Sequence, residues 1–135
     1  MNEDAPRGGG PAAAASPFKS TSGLKRIMSA AGYSCAGLLA AYRHEHAFRQ
    51  ELWIAMPLVV IAGIVDVGAA MRALMIASVL AVLIVELLNS AVEAVVDRIS
   101  LDHHPLAGRA KDLGSAAVFL AIANAVVVWL IGLLS

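Results

Sequence analysis

The residues best suited to do chemistry lie in the segment "LIVELLNSAVEAVVDR", residues 83–98, where acidic and amide side chains interrupt a long apolar run. On a helix of about 3.6 residues per turn, Glu86 and Glu93 point in the same direction, about 10.5 Å apart along the axis. Asn89 falls between them on the same side, and Asp97 extends that side by one turn. Polar side chains can simply join helices within a membrane, but an ionised carboxylate there costs on the order of a few kcal/mol. We therefore interpret this polar side as a functional site.

Depth in a membrane would give the two glutamates different roles. Counted from an outer boundary near Ala73, Glu86 lies roughly 20 Å into a hydrocarbon layer of about 30 Å, and Glu93 lies at its inner edge. Desolvation favours Glu86 as a base or proton acceptor. Glu45, in "YRHEHAFRQELW", is expected at the depth of Glu93, so these two carboxylates could jointly hold Mg²⁺ together with substrate phosphates. Alternatively, Glu45 forms an interfacial ion pair with Arg49, four residues later.

A basic segment, "DHHPLAGRAKD", follows the acidic one. Arg109 and Lys111 could simply anchor the end of a membrane span on its cytoplasmic side. Beside a Mg²⁺ site, however, they would neutralise charge as phosphoryl transfer requires. The adjacent His103 and His104 are weak evidence for a metal, and the sequence contains no Walker motif or kinase-type glycine loop. The residues alone therefore predict an intramembrane acidic site with an adjacent basic loop.

The elements that must position these residues follow from composition. The chain has 135 residues, a mean hydropathy of +0.76, 59% hydrophobic residues and 15% charged residues, which is typical of a membrane protein. Its formal net charge is zero, so nothing indicates a nucleic-acid partner. Three long apolar runs predict transmembrane helices at about 48–65, 73–96 and 113–134, the first of them short and containing Pro57. The lone Cys35 excludes an internal disulfide.

The distribution of charge predicts an orientation. Six Lys and Arg residues precede the uncharged run that begins at Leu52, three lie between the second and third spans, and only Arg72 lies between the first and second. By the positive-inside rule, the N-terminus is cytoplasmic and the C-terminus lies outside. Apolar side chains repeat at helical spacing over about 24–43, which predicts an amphipathic helix on the inner membrane surface. Residues 1–22, rich in Gly, Pro, Ala and Ser, are expected to form a disordered tail.

Four motifs, "AAGYS", "AFRQE", "VELLNSAVEAVVDR" and "GRAKDLGSAAV", occur in an order and at a spacing that resemble the prokaryotic integral-membrane diacylglycerol kinase family. The resemblance extends from about Gly23 to Leu134, so residues 23–135 are expected to form one membrane kinase domain. It implies an all-α integral membrane protein of the bacterial inner membrane, a homotrimeric helical bundle in which each subunit has a surface helix and three transmembrane helices. It also implies transfer of the γ-phosphoryl group of Mg·ATP to the free hydroxyl of diacylglycerol, giving phosphatidic acid in phospholipid turnover. The active sites would lie at the cytoplasmic membrane edge and be shared between subunits.

The same resemblance implies roles for individual residues. Glu86 would activate the lipid hydroxyl, and Asn89 would be an essential active-site amide. Glu45 and Glu93 would bind the metal. The positions that would contact ATP are Arg26, Tyr33, Glu45, Glu93, Asp102, His103, His104, Lys111 and Asp112. The positions that would bind the lipid substrate are Ala30, Ala31, Gly32, Tyr33, Ser34, Phe48, Arg49, Gln50, Glu51, Arg72, Glu86 and Ser115.

Three residues depart from the family pattern. His103 and Pro105 change the nucleotide-side loop, and Asn124 places an amide in a span that is usually apolar there. A related branch of the fold phosphorylates undecaprenol, and its members often carry "HPLA" in this loop, as residues 104–107 do here. The other motifs favour the diacylglycerol branch. From a different class, an oligomeric proton or cation pathway lined by Glu86 and Asn89 is a further alternative.

Overall fold

The computed structural model describes residues 23–99 and 104–134, which form four α-helices. These are α1 (Gly23–His44), α2 (His46–Ile64), α3 (Ala69–Ile99) and α4 (Pro105–Leu134). The last three are each long and apolar enough to cross a membrane. The prediction of an all-helical protein with three helices long and apolar enough to span a membrane is therefore confirmed. The expected tail, residues 1–22, lies outside the described residues.

The chain divides into two compact units at Cys35. The described part of the first unit comprises residues 23–35, which are helical and whose described side chains are exposed. Within it, the Ser34 hydroxyl donates a hydrogen bond to the carbonyl oxygen of Ala30, at 3.0 Å. The second unit begins at Ala36 and contains the end of α1 and the three long helices.

A single extended residue, Glu45, separates α1 from α2, with φ −98° and ψ 112°. Arg49, in the first turn of α2, donates from Nη1 to the carbonyl oxygens of Tyr42 (3.2 Å) and Arg43 (3.0 Å). The last carbonyls of a helix have no partner within the helix, and a cation there interacts favourably with the helix dipole. Arg49 thus caps the end of α1 instead of forming the ion pair with Glu45 that was the alternative expectation.

The other end of α2 is fastened in a similar way. α2 continues through Pro57 to Ile64, so the proline does not end the helix. Residues 65–68 then connect it to α3. Arg72 Nη2 reaches back to the carbonyl oxygen of Val65, at 3.0 Å, and ties this short connection to the first turn of α3. One arginine therefore holds each end of α2.

The central helix is α3, which packs against both α2 and α4. Its antiparallel register with α4 is fixed by pairs that follow one another along the interface: Asp97 with Lys111, Asn89 with Gly114, and Met75 with Trp129. Near the other end of α4, a Cβ atom at Gly132 would come within 2.8 Å of Met75 Sδ. Glycines at positions 114 and 132 thus let α4 approach α3 closely, as small residues do between membrane helices.

The core lies between the long helices, toward the α2–α3 connection. Its buried members are Ala55, Ala62, Met75, Val79 and Trp129. Trp129 Nε1 donates to the carbonyl oxygen of Met75, at 3.2 Å, so the indole of α4 is bonded directly to the backbone of α3. By contrast, many large apolar side chains face outward, among them Trp53, Ile84 and Leu120. An apolar exterior on three such helices suits contact with lipid or with further copies of the chain.

Candidate active site

Glu86 is the acidic residue at the centre of the site. It lies in α3 and is only 5% exposed, although the helix around it is apolar. Its carboxylate interacts electrostatically with those of Glu45, Glu51 and Glu93. Glu45 comes from the α1–α2 junction, Glu51 from α2 and Glu93 from the turns of α3 beyond Glu86. The structure therefore brings four carboxylates into one region, among them Glu45 and Glu93, which the sequence predicted to lie at the same depth.

Asn89 is fixed between Glu93 and α4. Its Nδ2 donates to Glu93 Oε1 at 3.1 Å. Its Oδ1 faces the backbone of Gly114 and is buried without a hydrogen-bond partner among the described residues. A buried acceptor left unpaired costs roughly 1–3 kcal/mol, so such an atom marks a place where a further donor or a cation would be favourable.

A basic residue lies beside the acidic cluster at the end of α3. Lys111 Nζ is 2.6 Å from Asp97 Oδ1, and the ammonium also interacts electrostatically with Glu93. The sequence could not pair Lys111 with Asp97, because their approach depends on the register between α3 and α4. Nearby, Asp112 and Arg109 are exposed.

His104 stabilises the start of α4. Its Nδ1 accepts a hydrogen bond from the backbone N–H of Leu106, at 3.2 Å, so the imidazole satisfies one of the free donors at the beginning of the helix. Asp102 and His103, the other two predicted ATP contacts in this loop, lie outside the described residues.

An apolar cavity of about 170 Å³ adjoins the acidic cluster, between α2, α3 and α4. Glu51 supplies its carboxylate, and Glu51 Oε2 is buried with no partner within residues 23–99 and 104–134. The remaining lining residues are Ile54, Ala55, Val79, Val82, Leu83, Ile122, Ala125 and Val126. A single acidic group at the edge of an apolar space suits a molecule with one polar end and a hydrocarbon body.

The other predicted lipid contacts are dispersed. Phe48 is buried, Arg49 is the cap of α1, and Gln50 and Ser115 are exposed. Arg72 lies 14 residues from Glu86, about 21 Å along α3, so this chain does not bring it to the acidic cluster. The predicted contacts on the first unit, Arg26 and residues 30–34, are all exposed on α1.

Residues 32–133 match the sequence model of the family "Prokaryotic diacylglycerol kinase". The chain belongs to the prokaryotic diacylglycerol kinase family. It is 57% identical over 114 residues to the diacylglycerol kinase of Pseudomonas aeruginosa, which covers 84% of this chain and 93% of that protein. It is 58% identical over 111 residues to the diacylglycerol kinase of Escherichia coli K12, covering 82% and 91%. For the diacylglycerol kinase of Haemophilus influenzae the identity is 46% over 109 residues, covering 81% and 92%.

Membership in this family makes the chain a kinase that acts on lipid, with ATP as co-substrate. The site is consistent with that chemistry, because phosphoryl transfer depends on positioning and on charge stabilisation rather than on covalent catalysis. Acidic oxygens and the Lys111 ammonium meet at the polar end of α3, and the apolar cavity begins next to them. ATP and a lipid could therefore approach the same carboxylates from opposite directions.

Proposed function

We propose that the chain transfers the γ-phosphoryl group of Mg·ATP to the free hydroxyl of diacylglycerol, giving phosphatidic acid in phospholipid turnover. The observation that carries this proposal is the buried Glu86, which has Glu93 and its amide partner on one side and Glu51 with the apolar cavity on the other. A lipid hydroxyl resides near the headgroup boundary and ATP arrives from water. A carboxylate between the two is where the acceptor must be activated.

Glu86 acts as the base. It takes the proton of the lipid hydroxyl as the oxygen attacks the γ-phosphorus and the bond to ADP breaks. Its burial in an apolar helix keeps water, the competing acceptor, away from the carboxylate. Asn89 supports the site from the other side by holding Glu93.

Glu45 and Glu93 are the residues that would hold Mg²⁺. Their hard carboxylate oxygens suit this ion, and Asn89 Nδ2 holds Glu93 Oε1 in place. In the described part of the chain, no group of three or more His, Cys, Asp or Glu side chains is arranged around a metal position. A Mg²⁺ site usually consists of one or two protein carboxylates completed by substrate phosphates. When bound, the ion neutralises charge on the transferring phosphoryl group.

ATP is contacted by Lys111, Asp112 and the loop at 102–104, with Arg26 and Tyr33 contributed by α1. The lipid is bound by residues 30–34, 48–51 and Ser115, with the cavity enclosing part of its hydrocarbon. A contact from Arg72 would involve a part of the lipid far from the hydroxyl, because this residue is about 21 Å from Glu86 along α3.

The kinase assembles as a homotrimer in the inner membrane, with α1 as an amphipathic helix on the cytoplasmic surface and the C-terminus outside. The outward-facing apolar side chains support both lipid contact and assembly. Asn124 supports assembly in particular: it lies midway along the apolar run of α4, its side chain is exposed, and hydrocarbon offers its amide no hydrogen bond. A second copy could supply that partner.

The decisive experiment is transfer of labelled phosphate in mixed micelles from Mg·ATP to diacylglycerol or undecaprenol, offered separately. We expect phosphatidic acid from the first and little product from the second. The relatives described above are all named diacylglycerol kinases, so an undecaprenol kinase is not favoured. Preferential labelling of undecaprenol would overturn the assignment, and nucleotide-independent ion flux in liposomes without lipid phosphorylation would favour the cation pathway.

A further inference from the structure

The closest approach of α4 to the acidic cluster occurs at Gly114. A Cβ atom built on this residue would overlap Asn89 Oδ1 and would lie 3.2 Å from Asn89 Cγ. At Gly108, six residues earlier on the same helix, a Cβ atom would meet nothing within 4 Å. A side chain is therefore excluded at position 114 by one specific neighbour, and not by the general path of α4.

Glycine is otherwise unfavourable at this position. Inside a helix it costs roughly 0.5–1 kcal/mol relative to alanine, and the backbone of Gly114 does not have the positive φ that would require glycine. By helix propensity alone, alanine would be the better residue. What glycine provides here is space for the carboxamide of Asn89.

The space matters because of what the other end of the carboxamide does. Asn89 Nδ2 donates to Glu93 Oε1 at 3.1 Å, whereas Oδ1 has no hydrogen-bond partner among the described residues. The orientation of the amide is thus set by one hydrogen bond and by packing on Gly114. Added bulk at 114 would rotate Asn89 and take the donor away from Glu93.

We propose that Gly114 is a positioning residue of the phosphoryl-transfer site: by lacking a side chain it orients Asn89, and through Asn89 it orients the Glu93 carboxylate that binds the metal·nucleotide. This inference rests on the proposed function for the role of Glu93. Loss of a hydrogen-bonded partner of a metal ligand typically weakens metal binding about 10–100-fold. A similar loss is expected here from one added methyl group.

The test is a double-mutant cycle on the full-length protein in micelles, with Gly114→Ala, Asn89→Ala, the double variant and Gly108→Ala as the matched control. The readout is equilibrium binding of Mn²⁺ in the presence of ADP, followed by electron paramagnetic resonance without turnover, together with the thermal unfolding midpoint. We expect Gly114→Ala to weaken Mn²⁺ binding about tenfold, with Gly108→Ala unchanged. In the Asn89→Ala background, Gly114→Ala should have no further effect, because the atom with which it collides has been removed.

Wild-type Mn²⁺ affinity in Gly114→Ala would overturn the inference, as would an equal loss with and without Asn89. If Gly114→Ala does not fold, recovery of folding in the double variant would support the contact, and failure of both variants would refute it. The outcome is separable from that of the proposed function. Coupling between positions 89 and 114 could survive even if diacylglycerol proved not to be the acceptor, and diacylglycerol phosphorylation could be observed with no coupling.

Discussion

At the scale of single residues, the acidic side chains differ in what surrounds them. Glu86 is enclosed, Glu93 is held by an amide, and Glu51 borders an apolar cavity. The sequence was sufficient to predict that Glu86, Asn89 and Glu93 share one side of a helix, because that follows from spacing alone. The unpaired oxygens of Asn89 and Glu51 could not be predicted, because pairing depends on which atoms of other helices are near.

Replacing Glu86 by Gln should remove the base while keeping the shape of the side chain. We expect turnover to fall about 10²–10⁴-fold, the usual contribution of a positioned base, with the oligomeric state unchanged in size-exclusion chromatography. Asp66→Asn is the control, because Asp66 is an exposed carboxylate in the α2–α3 connection. Activity retained in Glu86→Gln would refute the base assignment.

Replacing Glu93 by Gln should act on the metal. We expect the Mg²⁺ concentration for half-maximal activity to rise at least about tenfold, while the KM for diacylglycerol changes little. Glu51→Gln provides the contrast: its carboxylate borders the cavity, so the lipid KM should change more than the Mg²⁺ requirement. Indistinguishable metal and lipid titrations for the two variants would contradict the separation of roles.

At the scale of helices, apolar runs predicted three long elements, and the structure contains them. Their ends were harder to predict, since α3 continues into charged sequence at both ends of its apolar run and α4 does so at its start. The ion pair between Glu45 and Arg49 was an expectation for two residues on one helix. The helix breaks at Glu45, so Arg49 faces the end of α1 instead. The register between α3 and α4 was likewise inaccessible, and with it the pairing of Lys111 with Asp97.

The register between α3 and α4 predicts that the contact between Trp129 and Met75 contributes to stability. Trp129→Phe removes the hydrogen bond from Nε1 to the Met75 carbonyl and should lower the free energy of unfolding by at least about 0.6 kcal/mol, the average for hydrogen bonds between membrane helices. Trp53→Phe is the matched control, because Trp53 is 64% exposed whereas Trp129 is 9% exposed. Denaturation in mixed micelles would measure both. A Trp53 effect equal to or larger than the Trp129 effect would count against the packing described.

At the scale of the whole molecule, the three long helices place most of their charge at one end. Glu45, Glu93 and Lys111 belong to that end, whereas Asp66 and Arg72 lie at the connection between α2 and α3. The proposed topology puts the first group at the cytoplasmic face and the second outside.

Single cysteines would test this topology. In a Cys35→Ser background, a membrane-impermeant maleimide should label Asp66→Cys in intact spheroplasts and Leu106→Cys only after lysis. Both positions are exposed, so a difference in labelling would reflect the side of the membrane rather than burial. The reverse pattern would invert the proposed orientation.

The corner at Glu45 leaves that residue little freedom of its own. Arg49 in α2 donates hydrogen bonds to two carbonyl oxygens at the end of α1, so the junction at Glu45 should move together with α2. α2 has 19 residues and packs beside α3, which has 31. Helices of unequal length respond differently to bilayer thickness, chiefly by tilting. The acyl-chain length of the host lipids should therefore shift Glu45 relative to Glu93 and tune catalysis, independently of which lipid is the substrate.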